Sequence, residues 1–353
     1  MITFYPGPSK VYQQVPQYVQ EAYEEGVLSI NHRSPEFVAI SERAIRLVRD
    51  KLGVPDDYAV FYTSSATECW EIISQSLVSR LSYHVYNGAF GAKWFRYAQQ
   101  LQPQAEGYAF DLQEPLPLNQ LSLPTHTEIL CLTHNETSNG TALANTTLAE
   151  VRASFPDLLI AVDATSSLAG VEVPWNQADV WYASVQKCLG LPAGMALLIC
   201  SSRALAKAQQ KGERDHYNSL LYMQEQMKNW QTTYTPNVLG IYLLMRTLEA
   251  SEGIERVDQQ TLDRYTGWVD FLATLSTVHL LVEEPTVRSR TVIPVTAAPN
   301  VINRLREQAK SAGIILGNGY GDLKPTTLRI ANFPAIEAPE IEQLKQFLQK
   351  FTL

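Results

Sequence analysis

Short apolar runs alternate with amphipathic segments along the first 200 residues, and this alternation limits the possible folds more than any other feature. Most of the runs end in small or polar residues, which is typical of strands buried in a sheet. Between several runs, apolar residues recur at spacings of three and four, which predicts helices. Strand, helix and strand in succession predict right-handed crossovers and an α/β fold with a mostly parallel sheet. The predicted strands are residues 59–62, 83–86, 128–133, 158–163, 179–184 and 194–200.

The pattern changes after Pro236, which indicates a second and smaller unit. A length of 353 residues also suits two domains, and we expect a boundary near residue 255. The smaller unit is predicted to be α+β, with strands near residues 278–282, 291–295 and 327–331. The predicted helices of the whole chain are residues 37–52, 70–81, 92–101, 238–252 and 254–275, one around 302–312 and one through 341–351.

Charge and cysteine usage exclude several classes of protein. The chain has 28 Lys and Arg against 36 Asp and Glu, a net charge of −8, which argues against nucleic acid or an anionic membrane as the main partner. The start of the sequence lacks a basic segment followed by an apolar run, so we expect no signal peptide, and no stretch is long enough to span a bilayer. Four cysteines without a C-x-x-C pair predict free thiols in a reducing cytoplasm. The six histidines form no ligand cluster, so no metal site is expected.

The segment after the first predicted strand combines small hydroxyl side chains with a helix start. Ser65 and Glu68 have the spacing of a capping box before an apolar helix. Such a start offers free backbone N–H groups and the positive end of a helix dipole, which together can bind an anion. The segment therefore indicates either an ordinary helix start or an anion site.

Two charged residues stand at or just beyond the ends of later predicted strands. Asp163 ends the strand at 158–163, where it could cap the next turn or present a fixed carboxylate to a ligand cation. Lys187 lies between the strand at 179–184 and a stretch rich in Leu, Gly and Pro. Partial burial there would lower the pKa of its amine and leave more of it neutral, as a Schiff-base lysine needs. The alternative is a lysine whose amine reaches solvent from a strand end.

Three loops complete the set of candidates. The polar loop 134–140 ends in Asn-Gly, which is typical of a turn. Phe90, in the loop after the strand at 83–86, could stack on a ligand ring or pack in the core. The glycine-rich segment 317–321 lacks the spacing of a phosphate loop, and we predict a plain turn there.

An anion cradle, a carboxylate and a lysine thus follow one another at strand ends of one predicted parallel sheet, where ligands bind in such folds. Pyridoxal phosphate needs these parts: a cradle for its phosphate, a carboxylate for its pyridinium nitrogen and a lysine for its aldehyde. The sequence therefore predicts a site for this cofactor, with Phe90 as the candidate stacking ring.

Motifs along nearly the whole chain resemble those of the fold-type-I, class-V pyridoxal-phosphate aminotransferases, and most closely the phosphoserine aminotransferase family. Their order and spacing together carry the resemblance. The matching segments are residues 5–9 (YPGPS), 31–37 (NHRSPEF), 64–67 (SSAT), 135–137 (NET), 163–167 (DATSS), 184–187 (SVQK), 235–237 (TPN) and 328–332 (LRIAN).

The resemblance implies a large domain at residues 16–255 with a mostly parallel seven-stranded sheet, and a small domain from residues 1–15 and 256–353. It implies that Lys187 carries the cofactor, that Asp163 pairs with the pyridinium nitrogen and that Arg329 binds the substrate α-carboxylate. It also implies a homodimer with shared sites that uses small amino acids and 2-oxo acids. The other implied roles concern the cofactor phosphate (Ser65, Ala66, Thr67, Gln186), the ring hydroxyl (Thr137), the neighbouring subunit's cofactor phosphate (Thr235) and the substrate phosphate (His32, Arg33).

Four positions depart from the family pattern. Phe90 stands where the family usually has tryptophan, and Tyr234 stands where it usually has asparagine, as in alanine–glyoxylate-type relatives. Asp322 and Lys324 lie where a His-Arg pair is usual, so Asp322 would repel a substrate phosphate and Lys324 would offset this in part.

Several functions remain open from the sequence. The first is transfer of the amino group of glutamate to 3-phosphohydroxypyruvate, giving phosphoserine for serine biosynthesis. The second keeps the cofactor but takes another small 2-oxo acid, as alanine–glyoxylate aminotransferases do. A third possibility, a cysteine desulfurase, is disfavoured because it would need a reactive cysteine on a mobile loop. A fourth, a non-catalytic scaffold, is disfavoured because it would have no need of both Lys187 and Asp163.

Overall fold

The computed structural model describes residues 1–102 and 104–351, and in these residues eleven helices and fourteen strands are formed. The strands are β1 (Ile2–Phe4), β2 (Ala59–Thr63), β3 (Leu81–Tyr86), β4 (Glu106–Ala109), β5 (Thr127–Thr133), β6 (Asn135–Glu136), β7 (Thr141–Ala142), β8 (Leu159–Asp163), β9 (Val180–Ser184), β10 (Ala196–Cys200), β11 (His279–Leu280), β12 (Val292–Thr296), β13 (Ile314–Asn318) and β14 (Thr327–Ala331). The helices are α1 (Val15–Glu24), α2 (Pro35–Leu52), α3 (Ala66–Leu77), α4 (Ala89–Leu101), α5 (Asn145–Ser154), α6 (Ser202–Lys211), α7 (Leu220–Met227), α8 (Val238–Ala250), α9 (Ile254–Ala273), α10 (Pro299–Ser311) and α11 (Ala338–Lys350).

The larger sheet has seven strands in the order β2-β10-β9-β8-β5-β3-β4. All neighbouring pairs are parallel except those that β10 forms with β2 and β9. The predicted α/β fold with a mostly parallel sheet is therefore confirmed, and each of the six predicted strands is present with its ends within two residues. The seventh strand, β4, has no apolar run to reveal it because it lies at the sheet edge and is mostly exposed.

Strand register brings the ends of four strands to one edge of this sheet. Asp163 is paired with Thr133 of β5 on one side and with Tyr182 of β9 on the other. On β10, Ala196 is opposite both Thr63 and Ser184. The loops that follow β2, β5, β8 and β9 therefore open at the same edge, as the parallel arrangement requires.

The smaller sheet has five strands in the order β1-β13-β14-β12-β11. Its first strand comes from the start of the sequence and runs parallel to β13, whereas the other pairs are antiparallel. This pairing puts β1 among C-terminal strands. The large domain of residues 16–255 and the small domain of residues 1–15 and 256–353 stay predictions, as does the boundary at residue 255.

Local signals set the limits of the helices. Helix α2 begins after Ser34, whose Oγ accepts a hydrogen bond from Phe37 N, and it ends at Gly53 in the left-handed region with φ +67°. The predicted helix at 70–81 is wrong at both ends, since α3 begins at Ala66 and ends at Leu77. The apolar pattern continues to residue 81, but Val78 is already extended and Leu81 starts β3.

The core is formed on both faces of the larger sheet, with Trp181 fully buried on one face and Tyr182 on the other. The four cysteines are buried and free, which confirms the prediction of free thiols. None of the described helices has the length and apolarity needed to cross a membrane. Within the described ranges, no three His, Cys, Asp or Glu side chains are grouped to hold a metal ion.

Candidate active site

A cavity of ≈ 340 Å³ lies where the carboxyl edge of the larger sheet meets the smaller sheet. It contains Lys187, and its other walls come from α4, the loop after β6, and strands and loops of the smaller sheet. The lining residues are Tyr5, Pro6, Gly7, Phe90, Thr137, Lys187, Asn318, Gly319, Tyr320, Gly321, Lys324 and Arg329. The lining contains three cationic side chains and no acidic one.

Lys187 is 7% exposed and ends in this cavity. Its Nζ lies 3.5 Å from Thr137 Oγ1 and 3.5 Å from Ser166 Oγ. Burial, and then the nearby Arg329 charge, lowers the pKa of the amine to about 8. Gly7 makes room for it, because a Cβ at residue 7 would lie 2.6 Å from Lys187 Cε. The buried, partly neutral amine expected of a Schiff-base lysine is therefore present.

Asp163 is the buried carboxylate of the site. Its Oδ1 accepts a hydrogen bond of 2.8 Å from Thr165 N. Burial nonetheless raises the pKa of Asp163 to about 6. Its negative charge raises the pKa of Lys187. A carboxylate in this state is stabilised further by a ligand cation.

The predicted anion cradle forms the start of α3. Ser65 Oγ accepts a 3.1 Å hydrogen bond from Glu68 N, as in a capping box. The Glu68 carboxylate, however, bonds the amide and the hydroxyl of Ser64 rather than the amide of Ser65. The predicted capping box is therefore only half formed, because the Glu68 carboxylate bonds the amide one residue before the N-cap residue Ser65. The amides of Ser65, Ala66 and Thr67 open the helix, where intrahelical acceptors are lacking.

Two buried polar atoms near these groups have no hydrogen-bond partner among the described residues. They are Gln186 Oε1, next to Lys187 in the chain, and Thr165 Oγ1, two residues after Asp163. Unpartnered buried polar atoms are rare, and a polar ligand would satisfy them. Together with the helix start, the carboxylate and the lysine, they fit a ligand with a phosphate, a protonated ring nitrogen and an aldehyde.

Arg329 enters the cavity from β14 and is 5% exposed. Its Nε donates to Asn318 O at 2.7 Å, and its Nη1 donates to Thr137 O at 2.7 Å. The bond to Thr137 joins the smaller sheet to the loop after β6, and the two bonds together fix the direction of the guanidinium. Lys324 lines the same cavity but is exposed at its rim.

Two aromatic rings of the lining pack against each other. Phe90 lies with its ring 5.8 Å from Lys187 Nζ and 5.2 Å from the ring of Tyr320. The prediction of a plain turn at 317–321 is wrong, because residues 317–318 end β13 and the remainder lines the cavity. Gly317 allows this segment to pack closely on Pro6, because a Cβ at residue 317 would lie 2.3 Å from Pro6 Cδ. A glycine at this position is therefore a sequence signal for the contact.

Eight of the predicted site residues do not line this cavity. Five of them belong to the cofactor part of the predicted site (Asp163, Ser65, Ala66, Thr67 and Gln186), and the other three are His32, Arg33 and Thr235. Arg33 is exposed, and its Nη1 donates to the side-chain oxygens of Gln226 (2.8 Å) and Gln231 (2.7 Å). Thr235, four residues after Gln231, is also exposed. Through Gln231, Arg33 contacts the chain segment that leads to Thr235.

The sequence patterns assign no role to three residues in or beside the cavity, Tyr5, Tyr320 and Glu136. Tyr5 lies in a segment quoted only for its resemblance, and Tyr320 lies in the expected turn. Glu136, beside Thr137, is 1% exposed and accepts hydrogen bonds from two amides of α4. None of these contacts has a signature in sequence spacing, because each joins distant parts of the chain.

Comparisons with known proteins show what this chain is similar to. The model of the family described as aminotransferase class-V matches residues 3–321. A phosphoserine aminotransferase of Rhodococcus opacus is 25% identical over 96% of this chain and 91% of its own length. The solved structure of a phosphoserine aminotransferase from Cytophaga hutchinsonii is 32% identical, with a TM-score of 0.93 over 99% of this chain and 98% of that one. An alanine–glyoxylate aminotransferase from Nostoc sp. shares the fold at 23% identity, with a TM-score of 0.84 over 99% of this chain and 94% of that one.

Proposed function

The chain belongs to the class-V aminotransferase family, and we propose that it is a phosphoserine:2-oxoglutarate aminotransferase. As a member of this family it is a transferase that depends on pyridoxal 5'-phosphate. The proposed reaction converts 3-phosphohydroxypyruvate and glutamate into phosphoserine and 2-oxoglutarate. Its role would be serine biosynthesis, and the buried free cysteines suit a reducing cytoplasm.

One observation carries the substrate proposal: the cavity is lined by Lys187, Lys324 and Arg329 and by no acidic side chain. Both proposed amino donors, glutamate and phosphoserine, carry a second anionic group besides the α-carboxylate. We assign the α-carboxylate to buried Arg329, whose planar guanidinium suits bidentate binding. Lys324 at the rim would then face the distal anion.

The residues of the chain divide the chemistry between them. When bound, pyridoxal phosphate accepts the amino group and withdraws electrons from the substrate α-carbon. We assign the cofactor phosphate to Ser65, Ala66, Thr67 and Gln186, the ring nitrogen to Asp163, the ring hydroxyl to Thr137 and the ring face to Phe90. Lys187 Nζ would take the proton released at the α-carbon and return it, a form of acid–base help worth roughly 10²–10⁴-fold in rate.

We further propose a homodimer in which His32, Arg33 and Thr235 serve the site of the partner subunit. Arg33 is held by two neutral glutamines, so its charge remains available for an anion. One of them, Gln231, belongs to the same segment as Thr235. A single surface would thus supply the substrate phosphate and the cofactor phosphate of the neighbour.

A second candidate is a class-V enzyme for a small unphosphorylated 2-oxo acid. Its support is the rim of the cavity, where exposed Asp322 is two residues from Lys324 and the usual His-Arg pair is lacking. Tyr234 in place of asparagine points the same way.

A substrate comparison tests the proposal. Protein loaded with cofactor is mixed separately with O-phospho-L-serine, L-glutamate and L-alanine, and the loss of the visible band of the lysine-bound cofactor is followed. We expect kcat/KM for phosphoserine to exceed that for alanine by about 100-fold, since charged hydrogen bonds contribute roughly 1.5–3 kcal/mol each. A faster reaction with alanine would favour the second candidate.

Matched variants locate the phosphate contacts. Arg33→Gln and Lys324→Gln should each lower kcat/KM for phosphoserine about 10- to 100-fold while sparing alanine. Arg46→Gln is the control, because Arg46 is an exposed arginine paired only locally with Glu42. Equal losses with phosphoserine and alanine would remove Arg33 and Lys324 from the phosphate site.

A further inference from the structure

The helix that carries Phe90 has no side-chain cap of its own. Its N-cap residue is Gly88, which offers no hydroxyl or carboxylate to the first amides of α4. Three of these amides are bonded from another part of the chain: Ala89 N donates to Ser138 Oγ at 2.9 Å, and Phe90 N and Gly91 N both donate to Glu136 Oε2 at 3.1 Å.

The second oxygen of Glu136 is also occupied. Its Oε1 accepts from Ser138 N at 2.9 Å and from Ser138 Oγ at 2.7 Å. The side chain is 1% exposed, so a full set of donors is needed to stabilise its charge. One buried carboxylate therefore joins the start of α4 to the loop between β6 and β7.

The two segments it joins are those that carry Phe90 and Thr137 into the cavity. The approach is close, because a Cβ at Gly88 would lie 2.2 Å from Glu136 Cγ. Both Glu136 oxygens are used as acceptors, whereas a glutamine would turn an N–H₂ group toward N–H donors on one side. Glutamate at 136 and glycine at 88 are thus specifically matched.

We propose that Glu136 is a positioning residue that caps α4 in place of a local side chain and so fixes the Phe90 ring against the bound cofactor. This inference rests on the role of Phe90 in the proposed function. Glu136 itself does not line the cavity and acts through Phe90.

Glu136→Gln, Phe90→Leu and the double variant test the proposal. Two readouts that need no substrate are used: circular dichroism in the visible band of the loaded protein, and the dissociation constant of the cofactor. We expect Glu136→Gln to reduce the dichroic band at least twofold and to weaken cofactor binding about tenfold, the size of one charged hydrogen bond. In the Phe90→Leu background, adding Glu136→Gln should change neither quantity further.

A third readout uses the protein without cofactor. Hydrogen exchange of the amides of residues 89–91 should speed up about tenfold or more in Glu136→Gln. Glu128→Gln is the matched control, since Glu128 Oε2 also accepts from two consecutive amides, Ser79 N and Arg80 N, at 2.7 Å. That variant should speed exchange at residues 79–80 but leave the cofactor readouts unchanged.

If Glu136→Gln fails to fold, Ser138→Ala takes its place, because it removes the bond to Ala89 N and one donor to Glu136. It should change the same readouts in the same direction. An unchanged dichroic band and cofactor affinity would overturn the proposal, as would losses that add in full to those of Phe90→Leu. Because no substrate enters these measurements, failure of the phosphoserine assignment would leave their outcome unaffected.

Discussion

The lowered pKa of Lys187 leads to a quantitative prediction about cofactor capture. Only a neutral amine attacks an aldehyde, so the rate should follow the neutral fraction of Lys187. With a pKa of about 8 instead of 10.5, about 9% of the amine is neutral at pH 7 instead of about 0.03%. The buried site should therefore provide about 300 times more reactive lysine at pH 7 than an ordinary exposed position.

Two substitutions should move this pKa in opposite directions. The Arg329 charge lowers the pKa of Lys187 and the Asp163 charge raises it, after burial as the main cause of the shift. Arg329→Gln should therefore raise the pKa and slow capture at pH 7, whereas Asp163→Asn should lower the pKa and speed it. A change of half a unit corresponds to about a threefold change in rate at pH 7.

The assay follows the visible band formed when cofactor-free protein is mixed with pyridoxal between pH 6 and 9.5. Pyridoxal has no phosphate, so the anion cradle contributes little to the rate. The rate of the protein is divided by the rate at which Nα-acetyl-lysine reacts with pyridoxal at the same pH. The effect of the titration of pyridoxal itself then cancels. The reasoning is refuted if the protein and Nα-acetyl-lysine react with pyridoxal at nearly the same rate at pH 7. It is also refuted if both variants shift the midpoint of the pH dependence of the rate in the same direction.

Further variants test other parts of the site. Lys187→Ala should abolish both the visible band of the loaded protein and transamination, and retained activity would contradict its assignment. Asp163→Asn should stabilise the cofactor-free protein at pH 7.5 by up to about 3 kcal/mol in urea unfolding. The pKa of Asp163 rises on folding from 3.8 to about 6. Protonation of Asp163 therefore stabilises the folded protein fully below pH 3.8, and this stabilisation is lost as the pH rises through 6. The difference in unfolding free energy between Asp163→Asn and the original protein should accordingly vanish near pH 4. Gly7→Ala should lower kcat about 100-fold with an unchanged far-ultraviolet spectrum, because its Cβ would displace Lys187 Cε, and an unchanged kcat would rule out that contact.

The sequence was sufficient to predict the part of the site that depends on the parallel sheet. Asp163 follows a buried apolar strand and Lys187 lies just beyond another, and parallel strands bring such ends to one edge. The order of these residues along the chain therefore already predicts their proximity. Their roles toward the cofactor stay predictions.

The wall formed by the smaller sheet could not be predicted in this way. Asn318 ends β13, a strand that glycine makes hard to recognise, and Tyr320 follows it. Both reach the cavity by packing between the two sheets. Glu136 is equally hidden, because its partners Phe90 and Gly91 lie 45 or 46 residues earlier. Hydrophobic periodicity carries information about one element at a time and does not specify such contacts.

The pairing of β1 with β13 also affects how the enzyme is made. Ile2 must pair with Ile314, and the segment after β1 supplies Tyr5 and Gly7 to the cavity. Ribosomes add roughly 5–20 residues per second, so the emerging β1 waits on the order of 15–60 s for its partner strand. During that time the seven strands of the larger sheet are already synthesised, whereas the wall beside Lys187 is still missing. Completion of the active site is therefore a late event that depends on release of the C-terminal residues from the ribosome.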